Sequence, residues 1–283
     1  MMHPWLAPYG LKWDPFSPSV PIEALLPTAP IEHFCRRIEQ SHVREGGFAL
    51  VTGEPGTGKS VVLRVLADRL ERLPEISVGA LVRLQCNLAD FYREIGDLFS
   101  VPLKPHNRWA GSKTLREHWQ THIDSTLVRP VLLIDEAQEM PPAVLSELRL
   151  LTSTRFDSRI LLSVVIAGDG RLTEKLRRED LLALGSRIRI RLTLEPASHE
   201  ELLACLRHLI NAAGNSKLMT PALMDTLCGH ALGNRRVMVN TAAELLAAAA
   251  ERDCPQLDEK LFLELCSQPR AAKRPTARPR QRA

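Results

Sequence analysis

Apolar positions along the first two thirds of the chain alternate between two patterns. Continuous or alternating apolar runs predict buried strands, and apolar residues three and four positions apart predict helices. The predicted strands are residues 48–52, 80–85, 131–134, 160–167 and 187–194. The predicted helices before and between them are residues 31–43, 60–73, 88–99, 114–127, 141–151 and 172–184. This alternation indicates an α/β fold with a parallel sheet and helices on both of its faces.

The last third of the chain has a helical pattern throughout. Its predicted helices are residues 200–213, 221–231, 236–251 and 258–265, with glycine and proline between them. The pattern divides the chain into an N-terminal arm (1–30), an α/β domain (31–196), a small helical domain (197–268) and a tail (269–283). The arm holds seven prolines and the aromatic residues Trp5, Tyr9, Trp13 and Phe16. Proline disfavours a helix there, so we expect an extended segment whose rings dock on a domain.

The junction of the first strand and its helix carries a phosphate-binding motif. Residues 53–60, GEPGTGKS, match the pattern G-x-x-x-x-G-K-[ST], and the strand before them and the helix after them are the context that this motif requires. Glycines let the loop turn its N–H groups toward one phosphate, and the helix N-terminus adds positive potential. The residues predicted to bind nucleotide are Gly53, Glu54, Pro55, Gly56, Thr57, Gly58, Lys59, Ser60 and Val61, with Lys59 on the β- and γ-phosphates and Ser60 on Mg²⁺.

Two acids follow the apolar strand 131–134. Burying carboxylates at the end of such a strand costs free energy, which indicates a function for Asp135 and Glu136. In a phosphate-loop protein, Asp135 would hold Mg²⁺ through water and Glu136 would orient and deprotonate the attacking water. The fourth strand ends at Gly168-Asp169, where a polar side chain would lie beside the γ-phosphate. Asp169 is therefore predicted to sense hydrolysis, although a carboxylate suits a phosphate less well than an amide.

Composition excludes several classes of protein. The chain has 283 residues, 45% of them hydrophobic and 25% charged, as expected for a globular protein. Its longest apolar runs are too short for a membrane span, and its start lacks the pattern of a signal peptide. The six cysteines form no C-x-x-C pair and are interpreted as buried thiols. These features predict a cytoplasmic protein that does not enter a membrane.

Positive charge is concentrated in the tail. The net charge is +4, and residues 269–283 contain six basic residues and no acid, so the rest of the chain carries −2. We expect an electrostatic arm for nucleic acid or an acidic partner, with a solvated tail as the alternative. Its proposed DNA contacts are Arg274, Arg278 and Arg280.

A second basic segment lies at residues 101–113, which we interpret as a loop. Lys104, Arg108 and Lys113 surround Trp109 there, a combination of cations and a stacking ring that is typical of nucleic-acid contacts. A polar surface loop with one anchored Trp explains the same residues. His118 and His122 have the spacing of a zinc-binding pair, but no third ligand is evident.

Several of these motifs together resemble the AAA+ ATPases, and in particular the ExeA/TniB-like group, which includes transposition ATPases such as TniB, MuB and TnsC. The motifs are Tyr9-Gly10-Leu11-Lys12 with Pro15-Phe16, residues 53–60, Leu133 to Gln138, Gly168, Ser186-Arg187-Ile188 and Gly233-Asn234-x-Arg236. The resemblance covers about residues 9–266. It implies a helical lid and the strand order 5-1-4-3-2. It also implies that Arg187 enters a neighbouring subunit's site and that Arg236 is a second sensor of the nucleotide. Two residues depart from the group: Asp169 stands where Asn or Gln is usual, and Arg235 where Pro is frequent.

The resemblance favours one function and leaves two others open. The first is a Mg²⁺-dependent ATPase that binds duplex DNA, assembles into homo-oligomers with ATP and selects target sites for a DDE-type transposase. The alternative is an ExeA-type secretion ATPase that acts on a protein assembly. The third is a nucleotide switch that hydrolyses ATP weakly.

Overall fold

The computed structural model describes residues 6–103, 108–154 and 158–267, except for the side chains of residues 42 and 43. Within these ranges five parallel strands form one sheet in the order β2-β3-β4-β1-β5. The strands are β1 (Gly47–Gly53), β2 (Ile76–Leu81), β3 (Arg129–Ile134), β4 (Ser163–Gly168) and β5 (Ile188–Leu194). The predicted α/β fold and strand order are confirmed.

Both faces of this sheet are covered by helices because the central strands are apolar on both sides. Phe48 and Leu50 of β1 belong to a core with helices α3 (Leu88–Leu98), α4 (Arg108–Thr126) and α5 (Pro142–Thr152). Ala49 and Val51 belong to a core on the other face with α1 (Ala29–Arg37) and α2 (Lys59–Glu71). The edge strand β5 instead alternates buried and exposed residues. This domain also contains α6 (Gly170–Arg177) and α7 (Leu182–Gly185). A π-helical turn, Ile38–His42, and a short helix, Val43–Glu45, extend α1.

The C-terminal helices form a lid with its own hydrophobic core. They are α8 (His199–Ala213), α9 (Pro221–Ala231), α10 (Arg235–Glu251) and α11 (Glu259–Ser267). A capping box at Ser198 and Glu201 begins α8, and Gly214 in a left-handed conformation ends it. The N-terminal segment packs into this core through Leu6, Tyr9, Leu11 and Phe16. The Tyr9 hydroxyl donates to the carbonyl oxygen of Cys254 at 2.8 Å.

Two of the strands begin more than two residues away from their predicted start. The second strand is Ile76–Leu81 and not 80–85, because the N–H groups of Val82 and Arg83 donate to the Glu94 carboxylate instead of a neighbouring strand. The fourth begins at Ser163 and not at residue 160. Ser163 is the first residue that pairs with the neighbouring strands, with Gly47 of β1 and Val131 of β3. The N–H of Leu161 donates instead to the carbonyl oxygen of Thr152 at 2.7 Å. Ile160 pairs instead with Ser153 in a short antiparallel hairpin, Ser153–Thr154 with Arg159–Ile160.

Two helix predictions are also corrected. The segment 101–113 is not a loop throughout, because α4 begins at Arg108. The Arg108 guanidinium pairs with the buried carboxylate of Glu147, and Gly111 lets the helix approach the ring of Tyr92. The predicted helix 172–184 is two helices, α6 and α7, because Arg178 has an extended backbone.

The structure shows which of the predicted buried cysteines are buried, and whether any described helix could span a membrane. Cys35, Cys86 and Cys228 are buried, but Cys266 is exposed, so its assignment as a buried thiol is wrong. Among the helices that the structure describes, none has both the length and the apolar composition of a membrane span.

Candidate functional site

The carboxyl ends of β1, β3 and β4 lie side by side, and the predicted chemistry follows these ends. Thr52 of β1 is in register with Gly168 of β4, and Ile134 of β3 with Ile166. The phosphate-binding loop, the acid pair and Asp169 therefore share one edge of the sheet, where ligands bind in open α/β folds.

The phosphate-binding loop curls around the Lys59 side chain. Lys59 is 5% exposed, and its Nζ donates to the carbonyl oxygens of Gly53 at 3.0 Å and Glu54 at 3.3 Å. Thr57 closes the turn by donating from its N–H and its hydroxyl to the Glu54 carbonyl oxygen. Two backbone carbonyls neutralise a buried ammonium incompletely, so this loop suits an anion. Val61 lies in the first turn of α2.

The side chains of Ser60 and Asp135 meet at the mouth of this loop. The Ser60 hydroxyl donates to Asp135 Oδ2 at 2.5 Å. A hydroxyl and a carboxylate oxygen beside a phosphate-binding loop are the donors that Mg²⁺ prefers, so this pair fits the predicted ion. His118 and His122 contact edge to face, with 4.1 Å between their ring centroids. Burial, and then the neighbouring His122, lowers the pKa of His118. In the described part of the chain, no group of three or more possible metal ligands is found.

Glu136 has an unusual backbone. Its φ of 48° and ψ of 38° are left-handed, which L-residues with a Cβ seldom adopt. Its N–H donates to Asp135 Oδ1 at 2.9 Å. Strained backbone of this kind concentrates at functional sites. Its carboxylate oxygen Oε2 accepts a hydrogen bond from the side-chain amide of Gln138. The sequence analysis assigned no role to Gln138.

Asp169 begins α6 and is engaged by its own helix. Its carboxylate accepts from the N–H and the guanidinium of Arg171, both at 2.9 Å. These bonds, more than the charge of Lys59, lower the pKa of Asp169. The side chain predicted to sense hydrolysis is therefore a helix cap paired to a cation in this structure. The backbone N–H of Asp169 donates to Gln138 Oε1.

The lid contacts the phosphate-binding loop through the start of α10. Asn234 Nδ2 donates to the Pro55 carbonyl oxygen at 3.1 Å, and the Arg235 guanidinium to that of Thr57 at 2.9 Å. A Cβ on Gly56 would overlap the Asn234 amide, which explains the glycine there. Arg236, the predicted second sensor, has an exposed side chain. The sequence analysis included Asn234 in the motif Gly233-Asn234-x-Arg236 and noted Arg235 as a departure from the group, but it assigned neither residue a contact with the phosphate-binding loop.

Arg187 lies immediately before β5. Its guanidinium donates to the Ala183 carbonyl oxygen of α7 at 2.7 Å. Arg191 of β5 similarly donates to Gly185 at 3.0 Å. These bonds place both arginines beside the short helix α7, whose Leu182 is exposed.

The proposed DNA contacts fall into two groups. Trp109 is 73% exposed on the first turn of α4, and Lys113 Nζ lies 5.6 Å from its ring centroid. Arg108 is held by Glu147. Lys104 and the tail residues Arg274, Arg278 and Arg280 lie outside the described residues.

Comparisons with known proteins find similarity over much of the chain. Residues 42–176 match the family model described as an AAA domain. Over 187 residues the chain is 37% identical to General secretion pathway protein A of Aeromonas hydrophila, an alignment that covers 64% of this chain and 33% of that protein. The chain therefore spans about a third of the length of this curated relative.

Solved structures share the fold at low identity. Cdc6p of Pyrobaculum aerophilum superposes with a TM-score of 0.70 at 16% identity, covering 86% of this chain and 67% of that one. The ORC1 protein of Aeropyrum pernix, solved in complex with DNA, gives 0.68 at 16%, covering 89% and 68%. Drosophila ORC bound to DNA gives 0.64 at 18%, covering 94% and 67%. These matches support the fold alone.

Proposed function

We propose that this chain, whose residues 42–176 match the model of an AAA domain, is a Mg²⁺-dependent ATPase that supplies energy to a protein secretion assembly. The observation that carries the proposal is the 37% identity with General secretion pathway protein A. That alignment supports the ExeA-type alternative of the sequence analysis over the transposition reading.

The site geometry supports a division of labour among the residues at the sheet edge. The loop N–H groups and Lys59 would bind the phosphates of ATP. Ser60 and Asp135 would hold Mg²⁺, which supplies charge neutralisation between the phosphates when it is bound. Glu136, with its carboxylate at the end of β3, would orient the attacking water and accept its proton. Asn234 and Arg235 would couple the lid to the loop that holds the phosphates.

Hydrolysis in this proposal requires association of subunits. Arg187 precedes the edge strand β5 and hydrogen-bonds to α7. An arginine at the edge of the sheet is suited to the γ-phosphate of a neighbouring protomer, where it would stabilise charge that develops during transfer. The chain would then form homo-oligomers that depend on ATP, with Arg236 contacting the nucleotide from the lid.

A second candidate is a DNA-associated ATPase that selects target sites for a DDE-type transposase. The observation in its favour is the exposed Trp109 with Lys113 over its ring, an arrangement that can stack on a base and pair with a phosphate. Its weight is lower, because Arg108 is already paired with Glu147 and Lys113 lies 3.7 Å from Glu117.

The test replaces the chromosomal copy with Lys59→Ala, with Glu136→Gln and with the control Lys260→Ala, a lysine exposed on α11. If the proposal holds, both site variants lower the fraction of exported protein in the medium, and the control leaves it unchanged. Export at the wild-type level in a strain that makes normal amounts of the Lys59→Ala protein contradicts the secretion role. A loss of transposition in the same strains would instead support the second candidate.

A further inference from the structure

The side-chain amide of Gln138 connects the ends of β3 and β4. Its Nε2 donates to Glu136 Oε2, and its Oε1 accepts from the backbone N–H of Asp169 at 3.3 Å. In the opposite orientation, the amide oxygen would face the Glu136 carboxylate, and the NH₂ group would face the backbone N–H of Asp169. Both partners therefore specify one orientation of the amide.

The surroundings hold Gln138 in this place. It is 5% exposed, on the short 3₁₀ turn Ala137–Glu139. The Lys175 ammonium of α6 donates to the backbone oxygens of Gln138 at 2.5 Å and Met140 at 2.9 Å, which fixes the turn. Gly168 leaves the space for the amide, since a Cβ on it would lie 2.6 Å from Gln138 Oε1. A buried amide with both ends bonded is a preorganised contact rather than a surface side chain.

The position of this amide also bears on Asp169. The carboxylate of Asp169 is bonded to Arg171 and caps α6. A neutral amide between the strand ends is therefore contributed by Gln138, a residue of β3's own loop, and not by the residue that follows β4.

We propose that Gln138 is a positioning residue for hydrolysis: it holds the Glu136 carboxylate in place and ties it to the backbone at the end of β4. A shift of that strand end on contact with a γ-phosphate would move Gln138 Oε1, and through the same amide it would move Glu136. The inference rests on the proposed role of Glu136 in hydrolysis.

The main variant is Gln138→Met, which keeps the side-chain length and removes both hydrogen bonds. A hydrogen bond to a charged group contributes enough to change a rate by roughly tenfold to a hundredfold. We expect kcat to fall by about that factor, while the Kd for ATP changes less than about threefold. Gln138→Glu, which places a second negative charge beside Glu136, should lower kcat further. The matched control is Gln120→Met, since Gln120 donates to the Asp124 carboxylate on the surface of α4; its kcat should stay at the wild-type value.

Two further variants separate positioning from folding. Gly168→Ala keeps Gln138 but places a Cβ 2.6 Å from its Oε1 and 2.7 Å from the buried Leu172 of α6. It should displace the amide and lower kcat, and urea unfolding measures the separate cost of crowding Leu172. In a protein that already carries Glu136→Gln, adding Gln138→Met should not lower the residual turnover further. Each of the two changes removes the same interaction, the one between the Gln138 amide and the Glu136 carboxylate. If Gln138→Met does not fold, Gly168→Ala and Gln138→Asn give the same comparison of kcat with Kd.

The outcomes separate this inference from the proposed function. Wild-type kcat in Gln138→Met, or a loss of ATP binding as large as the loss of kcat, overturns the positioning role. Wild-type turnover in Glu136→Gln overturns the site assignment itself. If Glu136→Gln is inactive while Gln138→Met has the wild-type kcat, the proposed function is retained and only the positioning role of Gln138 is rejected.

Discussion

The Arg235 guanidinium donates to the carbonyl oxygen of Thr57 at 2.9 Å, so a lid residue and the phosphate-binding loop are joined by a direct hydrogen bond. The two residues are 178 positions apart in the chain. Movement of the lid must therefore break this bond or carry the loop with it.

Arg235→Ala should lower the free energy of unfolding of the nucleotide-free protein by about 1 kcal/mol, because it removes a partly buried hydrogen bond. The matched variant Arg236→Ala removes an exposed side chain on the same helical turn and should cost less than about 0.5 kcal/mol. Its effect is expected on ATP affinity instead, if it acts as the second sensor. Urea unfolding and ATP titration of both variants measure these effects, and equal stabilities would argue against the contact.

Lys59→Ala should lose nucleotide binding, whereas Glu136→Gln should keep binding and lose hydrolysis. The reason is that Lys59 provides positive charge in the loop, and Glu136 provides the base that activates water. Titration with a fluorescent nucleotide and steady-state turnover separate the two roles. Normal ATP affinity in Lys59→Ala, or wild-type turnover in Glu136→Gln, contradicts the assignment.

Mixing Arg187→Ala with Lys59→Ala should restore part of the ATPase activity that each variant lacks. An intact Arg187 from the Lys59→Ala protomer would then complete the site of an Arg187→Ala protomer. The measurement is turnover against the mixing ratio, with Arg189→Ala as control, since Arg189 is an exposed arginine on the same strand. Absence of rescue in oligomers shown to be mixed counts against a role in trans.

The free energy of unfolding should fall at alkaline pH because the Cys35 thiol is buried in the folded protein. Burial raises its pKa from an ordinary value of 9.0 to about 11. The unfolded chain releases this proton first, so the free energy of unfolding declines as pH rises from about 9 to about 11, by up to about 1.4 kcal/mol per pH unit. Urea unfolding at pH 8, 9 and 10 should show a smaller decline in Cys35→Ala than in the wild type. Identical slopes would refute this cause.

DNA binding, if it occurs, should be weakly selective and sensitive to salt. Each neutralised phosphate changes the slope of log affinity against log salt by about −0.9, so deletion of residues 269–283 should flatten it by several units if the tail contacts the duplex. Trp109→Ala tests α4, with Trp119→Phe as a control in the core. ATP should tighten binding by assembling protomers on one duplex. A full-length protein that ignores duplex DNA at low salt, even with a non-hydrolysable ATP analogue, removes the transposition candidate.

Local sequence was sufficient for the phosphate-binding loop, the acid pair and the alternation of strands and helices. A phosphate-binding loop is defined by residues adjacent in the chain, and a central strand such as Val131–Ile134 is apolar because both of its faces are covered. The strand order was predicted from the resemblance to a known family, because the sequence of a strand does not indicate which strands lie next to it in the sheet.

Tertiary structure decided which polar residues meet. Periodicity assigned residue 160 to the sheet, but Ile160 pairs with Ser153 in a separate hairpin, and the N–H of Leu161 donates to Thr152. The helix α4 begins at Arg108, within a segment that was predicted to be a loop, and the Arg108 guanidinium pairs there with the buried Glu147 carboxylate. The lid residue at the phosphate-binding loop is Arg235, and the amide at Glu136 is that of Gln138. The motif assigned a role to Arg236 and left Arg235 at its variable position, and only the packing of the lid against the loop brings the Arg235 guanidinium to Thr57.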